Sequence, residues 1–274
     1  MGASADLLTR IFAALLGLLL LWPQAAPAQE RGLEVDLELV LLVDVSRSMS
    51  PAELELQRRG YAEALASDEV FQAIRGGLLQ TIALTYVEWA GGQETVVDWR
   101  LIQSRADLDA FAEALTVRFD SSFRRTSISS ALLYGSDRIG GNLYEGLRRV
   151  IDISGDGPNN LGPRVLEARA EVLSRGITIN GLPLMTEGNG PSFFHLENLD
   201  IYYATCVIGG VGAFVVPVTD WSDFAAAVRR KLVLEIAGRT PPARLLQAQA
   251  RDPRDCEVGE KIWRDFRRGQ DFMP

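Results

Sequence analysis

Residues 35–53 constrain this chain more than any other stretch. Their centre, Leu39-Val40-Leu41-Leu42-Val43, is apolar without alternation, the pattern of a parallel strand buried on both faces. Asp44, Ser46 and Ser48 follow at alternate positions. Ser50-Pro51-Ala52-Glu53 then opens a helix, with Ser as the cap, Pro at the first helical position and Glu three residues after the Ser. One carboxylate and two hydroxyls therefore sit between a buried strand and a helix, where open α/β sheets bind their ligands. Oxygen donors of this kind suit a hard cation such as Mg²⁺.

The remaining chain alternates between strand and helix. The pattern predicts helices over 51–67 and 68–75, a break at Gly76-Gly77, and a strand over 81–89 rich in β-branched and aromatic residues. Gly91-Gly92 turns the chain into a second strand over 95–103, paired with the first as a hairpin. Ser104 caps a helix over 105–115. Further helices are expected over 127–139, 163–174 and 196–206, and strands over 149–154, 177–184 and 213–218. An amphipathic helix over 221–236 carries Arg229-Arg230-Lys231 near its end, assigned to a solvated face that suits the helix dipole. Residues 240–274 are polar, contain Pro241-Pro242, and are expected to wrap the surface. The order implies an α/β fold: a doubly wound, mostly parallel central sheet with one antiparallel edge strand and helices on both faces.

Composition removes several function classes. Residues 11–21 are apolar, follow Arg10, and lead through Pro23 to Ala26-Pro27-Ala28. This reads as a signal peptide over 1–28, cleaved before Gln29, which implies a periplasmic or secreted protein. The competing reading is an uncleaved membrane anchor; no later segment is apolar enough to span a membrane. Asp6 and Arg10 cancel, so the mature chain keeps the net charge of -8, which argues against a nucleic-acid partner. The single His195 cannot build a His-rich zinc site. A Ser-His-Asp triad would have to use it without a G-x-S-x-G elbow, and no phosphate-binding glycine loop follows a strand. Cys206 and Cys256 are the two cysteines. In an oxidising compartment they read most simply as one disulfide tying the tail to the domain, with two unpaired buried thiols as the alternative.

Oxygen donors recur at two further places. Thr126 opens the helix of Thr126-Ser127-Ile128-Ser129-Ser130, and Asp156 follows the strand ending at Ser154. With Asp44-Val45-Ser46-Arg47-Ser48, Arg125-Thr126-Ser127 and Gly155-Asp156-Gly157 in this order, residues 34–237 resemble the von Willebrand factor A domain and its metal-ion-dependent adhesion site. The likeness looks greatest to an uncharacterised family of exported bacterial proteins with this domain. It implies that Ser46, Ser48 and Thr126 coordinate Mg²⁺, with Mn²⁺ or Ca²⁺ as alternatives, and that Asp44 and Asp156 hold it partly through water. It also implies a free position for a partner protein or other ligand presenting a carboxylate or similar anion. Residues 238–274 would form a tail packed on the domain.

Four residues at three places depart from that family's pattern. Arg47 replaces a small residue, Arg124-Arg125 replaces a Gly-Gly pair, and Gly155 replaces the usual Thr. Arg47, Arg124 and Arg125 are expected near the metal as a cationic rim favouring an anionic partner; alternatively they point to solvent or pair with Asp120 and Glu53. Asn159-Asn160 is expected as turn chemistry that could shape the metal loop. The reading is a metal-dependent binding module rather than an enzyme, the alternatives being a Mg²⁺-dependent hydrolase using Asp44 or Asp156 as base, or a scaffold with an empty site.

Overall fold

The computed structural model describes residues 32–116, 125–186, 196–241 and 255–270; residues 1–28, Asp120, Arg124 and His195 lie outside them. Its strands are β1 (Leu33–Val35), β2 (Leu37–Asp44), β3 (Ile82–Trp89), β4 (Gln93–Ile102), β5 (Tyr144–Gly146), β6 (Arg149–Gly155) and β7 (Thr178–Pro183). Its α-helices are α1 (Pro51–Leu65), α2 (Asp68–Arg75), α3 (Arg105–Leu115), α4 (Ile128–Gly140), α5 (Val165–Ser174), α6 (Leu199–Tyr202), α7 (Phe224–Ile236) and α8 (Val258–Gln270). The main sheet runs β4-β3-β2-β6-β7. Its neighbours are parallel except β3 and β4, which form the antiparallel edge. Among the described residues no helix is long and apolar enough to cross a membrane.

The continuous apolar run of β2 has a direct cause: all eight of its residues are buried. Leu37, Leu39, Leu41 and Val43 pack with Tyr61 of α1, Phe111 of α3 and Phe224 of α7. Val40 and Leu42 pack on the other face with Ile128 of α4, Val172 of α5 and Tyr203. The start of α1 is fixed as the sequence dictates, because the Glu53 carboxylate accepts from the Ser50 N–H at 2.7 Å while Ser50 Oγ accepts from the Glu53 N–H.

Some elements differ from expectation. The first strand breaks at Asp36, whose carboxylate turns to accept the Leu79 and Thr81 N–H groups. This leaves β1 to pair with β5. The stretch expected as a strand over 213–218 joins β7 only through bridges at Gly181–Val215 and Leu184–Val218. Beyond α6, Tyr203–Val207 forms a π-helical turn. The polar tail contains a regular helix, α8, joined to this turn by the Cys206–Cys256 disulfide.

Lys231 corrects the solvated-face expectation. It is fully buried, with Nζ 2.5 Å from both Asp152 Oδ1 of β6 and Glu235 Oε1 one turn on. Asn180 Nδ2 donates to the same Glu235 oxygen at 2.9 Å. Burial and then the Asp152 carboxylate push the Glu235 pKa up to about 7, against the pull of Lys231. An unfolded Glu titrates near about 4.3. The folded state therefore holds this proton more tightly. The group's contribution to stability is full below the unfolded value and falls as pH rises towards about 7. Glu235→Gln is expected to flatten that decline in thermal melts across this range; an unchanged slope would contradict the assignment.

Candidate metal centre

The chain leaves β2 to build β3 on one side and returns to build β6 on the other. The β2–β6 boundary is thus where the winding reverses, and a crevice opens at the C-terminal ends of such strands. Val43 of β2 pairs with Ser154 of β6, which brings Asp44 and Asp156 to the same end. Thr126 reaches this end in the loop before α4. Its N–H donates to Asn160 Oδ1 at 3.1 Å, its carbonyl accepts from the Asn160 N–H at 2.9 Å, and the Ser127 N–H donates to Ala90 O.

Four of the five expected ligands form one connected chain. The Ser46 N–H donates to Asp44 Oδ1 at 2.7 Å, Ser46 Oγ lies 2.9 Å from Ser48 Oγ, and Ser48 Oγ donates to Asp156 Oδ1 at 2.9 Å. Gln57 Nε2 of α1 holds the Asp44 carbonyl at 2.8 Å. The Thr126 hydroxyl is outside this chain, although Asn160 fixes its backbone.

Asp44 is fully buried, and its Oδ2 has no hydrogen-bond partner among the described residues. Burial first, and the nearby Asp156 charge second, hold its pKa well above the ordinary carboxylate value. A buried oxygen without a partner, beside a second carboxylate, is costly unless a cation or proton satisfies it. Among the described residues no group of three or more His, Cys, Asp or Glu could hold a metal. A cation here would depend on hydroxyls, which the residues supply. The donor set fits a hard divalent ion.

The rim is divided. Arg47 is exposed at the turn; Glu53 is engaged by the Ser50 N–H and by Trp221 Nε1 at 3.2 Å rather than by Arg47. Arg125 is also exposed, but its guanidinium lies 4.8 Å from the ring centre of Trp263 on α8. Gly155 has a steric explanation. A Cβ there would lie 2.8 Å from Tyr203 Oη, 2.9 Å from Asp44 Oδ2 and 3.1 Å from Trp89 Cζ2, so a Thr could not enter without displacing them.

Sequence reasoning missed Tyr203 and Gln57 beside Asp44, and gave Asn159 and Asn160 too small a part. Asn159 is fully buried. Its Oδ1 accepts from the Ser129 N–H at 3.0 Å, and its N–H donates to Tyr202 Oη at 3.1 Å. The adjacent amides after Pro158, in a turn that follows the candidate ligand Asp156, were the available signal.

Solved structures of the same fold have little sequence in common with this chain. Proximal thread matrix protein 1 from the mussel byssus superposes with a TM-score of 0.55 at 14% identity, covering 75% of this chain and 49% of that one. A further structure of that protein, described as having a zinc-occupied MIDAS motif, gives a TM-score of 0.51 at 14% identity, covering 75% and 49%. The pilus adhesin SpaC from Lactobacillus rhamnosus GG gives 0.55 at 13% identity, covering 76% and 31%. The chain thus spans about half the length of the mussel protein and about a third of the adhesin. At these identities the likeness is one of fold. Among curated proteins none matches the chain by sequence. Residues 34–240 match the family described as "Protein of unknown function (DUF1194)", and the chain belongs to that family.

Proposed function

We propose that the protein is an exported binding module that captures an acidic group of a partner through a divalent cation, Mg²⁺ foremost. Ser46, Ser48 and Thr126 would hold the ion through their hydroxyls, with Asp44 and Asp156 partly through water. The observation that carries this reading is the buried, partnerless Asp44 Oδ2 beside Asp156, with the Ser46–Ser48 hydroxyl pair joined to Asp156 through Ser48 and the Ser46 N–H bonded to Asp44. The mussel protein's zinc-occupied MIDAS motif on the same fold supports it. Bound there, the cation would act as an electrophile that favours a carboxylate ligand.

The chain's own residues do the remaining work. Asp44 ends β2 with its carbonyl held by Gln57, Asp156 follows β6, and Asn160 holds the Thr126 backbone, which supports a donor set arranged in advance of any ligand. Arg47 adds positive charge at the exposed turn, favouring anionic partners. Residues 1–28, read as a cleaved export signal, would place the module in the periplasm or outside the cell.

Titration calorimetry with Mn²⁺ tests the reading. The wild type is expected to bind, and Ser46→Ala/Ser48→Ala to bind at least about tenfold more weakly while still folded. Glutarate, a dicarboxylate probe, is expected to lower the water-proton relaxation caused by bound Mn²⁺. Equal Mn²⁺ affinity in wild type and variant would contradict the site, and metal binding without a glutarate effect would contradict capture of acidic groups.

A further inference from the structure

The loops that carry Thr126 and Asp156 are gripped by an element from the far end of the chain. Helix α8 touches them at three points. Gly259 lies so close to the loop after Asp156 that a Cβ there would be 2.1 Å from the Asn159 carbonyl oxygen, so backbone meets backbone. Glu260 Oε1 accepts from Asn159 Nδ2 at 2.8 Å. Trp263 supports the Arg125 guanidinium at 4.8 Å. Arg164 also pairs with Glu257 just before the helix.

Two of these contacts meet Asn159, three residues after Asp156, and the third meets Arg125, next to Thr126. Arg125 precedes Thr126 and adopts φ 75°, a left-handed conformation that suits glycine and disfavours arginine. Strain of this kind persists where surrounding contacts over-determine it, and the stack on Trp263 is such a contact. Asn159, held by Glu260, in turn receives the Ser129 N–H at the start of α4, and its neighbour Asn160 receives the Thr126 N–H. The helix is anchored by Cys256 to Cys206, on the π-helical turn that also carries Tyr203 to Gly155 and Asp44.

We propose that α8 is a disulfide-held clamp that sets the positions of Thr126 and the loop after β6, so that metal affinity depends on whether Cys206 and Cys256 are joined. Arg125, Asn159 and Trp263 are its positioning residues. The effect on affinity rests on the metal reading above; the mechanical grip does not. A dithiol reductant opens the bond by two successive exchanges: it gives up two electrons and two protons, becomes a disulfide, and leaves both cysteines as thiols. Partners of metal ligands tune affinity in the same way, and their loss weakens binding by roughly ten- to a hundredfold.

The test measures Mn²⁺ affinity and amide hydrogen exchange on oxidised protein, dithiothreitol-reduced protein, Trp263→Ala, Trp263→Phe and Arg268→Ala, well below their melting temperatures. Reduction and Trp263→Ala are expected to weaken Mn²⁺ by roughly tenfold or more. The same two changes should strip protection from the Thr126 and Ser129 amides and leave β2 and β6 protected. Trp263→Phe, which keeps an aromatic face, and Arg268→Ala, on the same helix, are expected to behave as wild type. Unchanged exchange at Thr126 and Ser129 in both reduced protein and Trp263→Ala would overturn the clamp, whatever the metal does. Changed exchange with unchanged Mn²⁺ affinity would overturn the coupling. Absence of Mn²⁺ binding in the oxidised wild type would instead overturn the metal reading and the coupling with it, while exchange still decides whether α8 grips the loops.

Discussion

Replacing Lys231 with methionine is expected to destabilise the protein by about 3–5 kcal/mol, lowering the melting temperature by about ten degrees or more. The lysine is fully buried between Asp152 and Glu235. Methionine preserves much of its volume, so the penalty comes from two carboxylates left in the core without a cation. The double replacement Lys231→Met/Glu235→Gln is expected to recover part of the loss, because Gln carries no charge and can still accept from Asn180. Urea unfolding gives the comparison directly. A single variant within about 1 kcal/mol of wild type would show that the cluster is not held as described.

Cys206→Ala/Cys256→Ala is expected to cost about 4 kcal/mol, the loop-entropy value for a sequence separation of 50. Because α8 follows Cys256 directly, the unlinked protein also gains a way to release that helix while the sheet stays folded. Unfolding is then expected to lose two-state character, with Trp263 fluorescence changing before the far-ultraviolet signal. Coincident transitions with unchanged stability would contradict a tether that matters to the fold.

The parts of the fold legible in the sequence are those with local causes. Strand β2 announced itself because helices cover both its faces, and α1 because Ser50, Pro51 and Glu53 are neighbours. The β3–β4 hairpin followed from Gly91-Gly92. The candidate ligand positions stood out because Asp44 ends β2 and Asp156 follows β6, two strands whose apolar pattern is clear.

What escaped was set by distant partners. Lys231 reads as one more basic residue near a helix end until Asp152, on a strand far away in sequence, is placed beneath it. The turn of Arg125 towards Trp263 joins two segments that no local pattern connects. Helix α8 carries Val258, Ile262, Trp263 and Phe266 at helical spacing, but the charges among them made it resemble an irregular polar tail wrapped on the surface. Tyr203 reaches Gly155 from a π-helical turn, a register that 3.6-residue periodicity does not anticipate.

The measurement closest to the central claim is anomalous diffraction from crystals soaked in Mn²⁺ at millimolar concentration. The account predicts a single strong peak at the β2–β6 crevice, about 2.1 Å from Ser46 Oγ and Ser48 Oγ, with Asp44 and Asp156 beside it and the peak lost in Ser46→Ala/Ser48→Ala. A fully ordered crevice with no peak, or a peak at other residues, would contradict it.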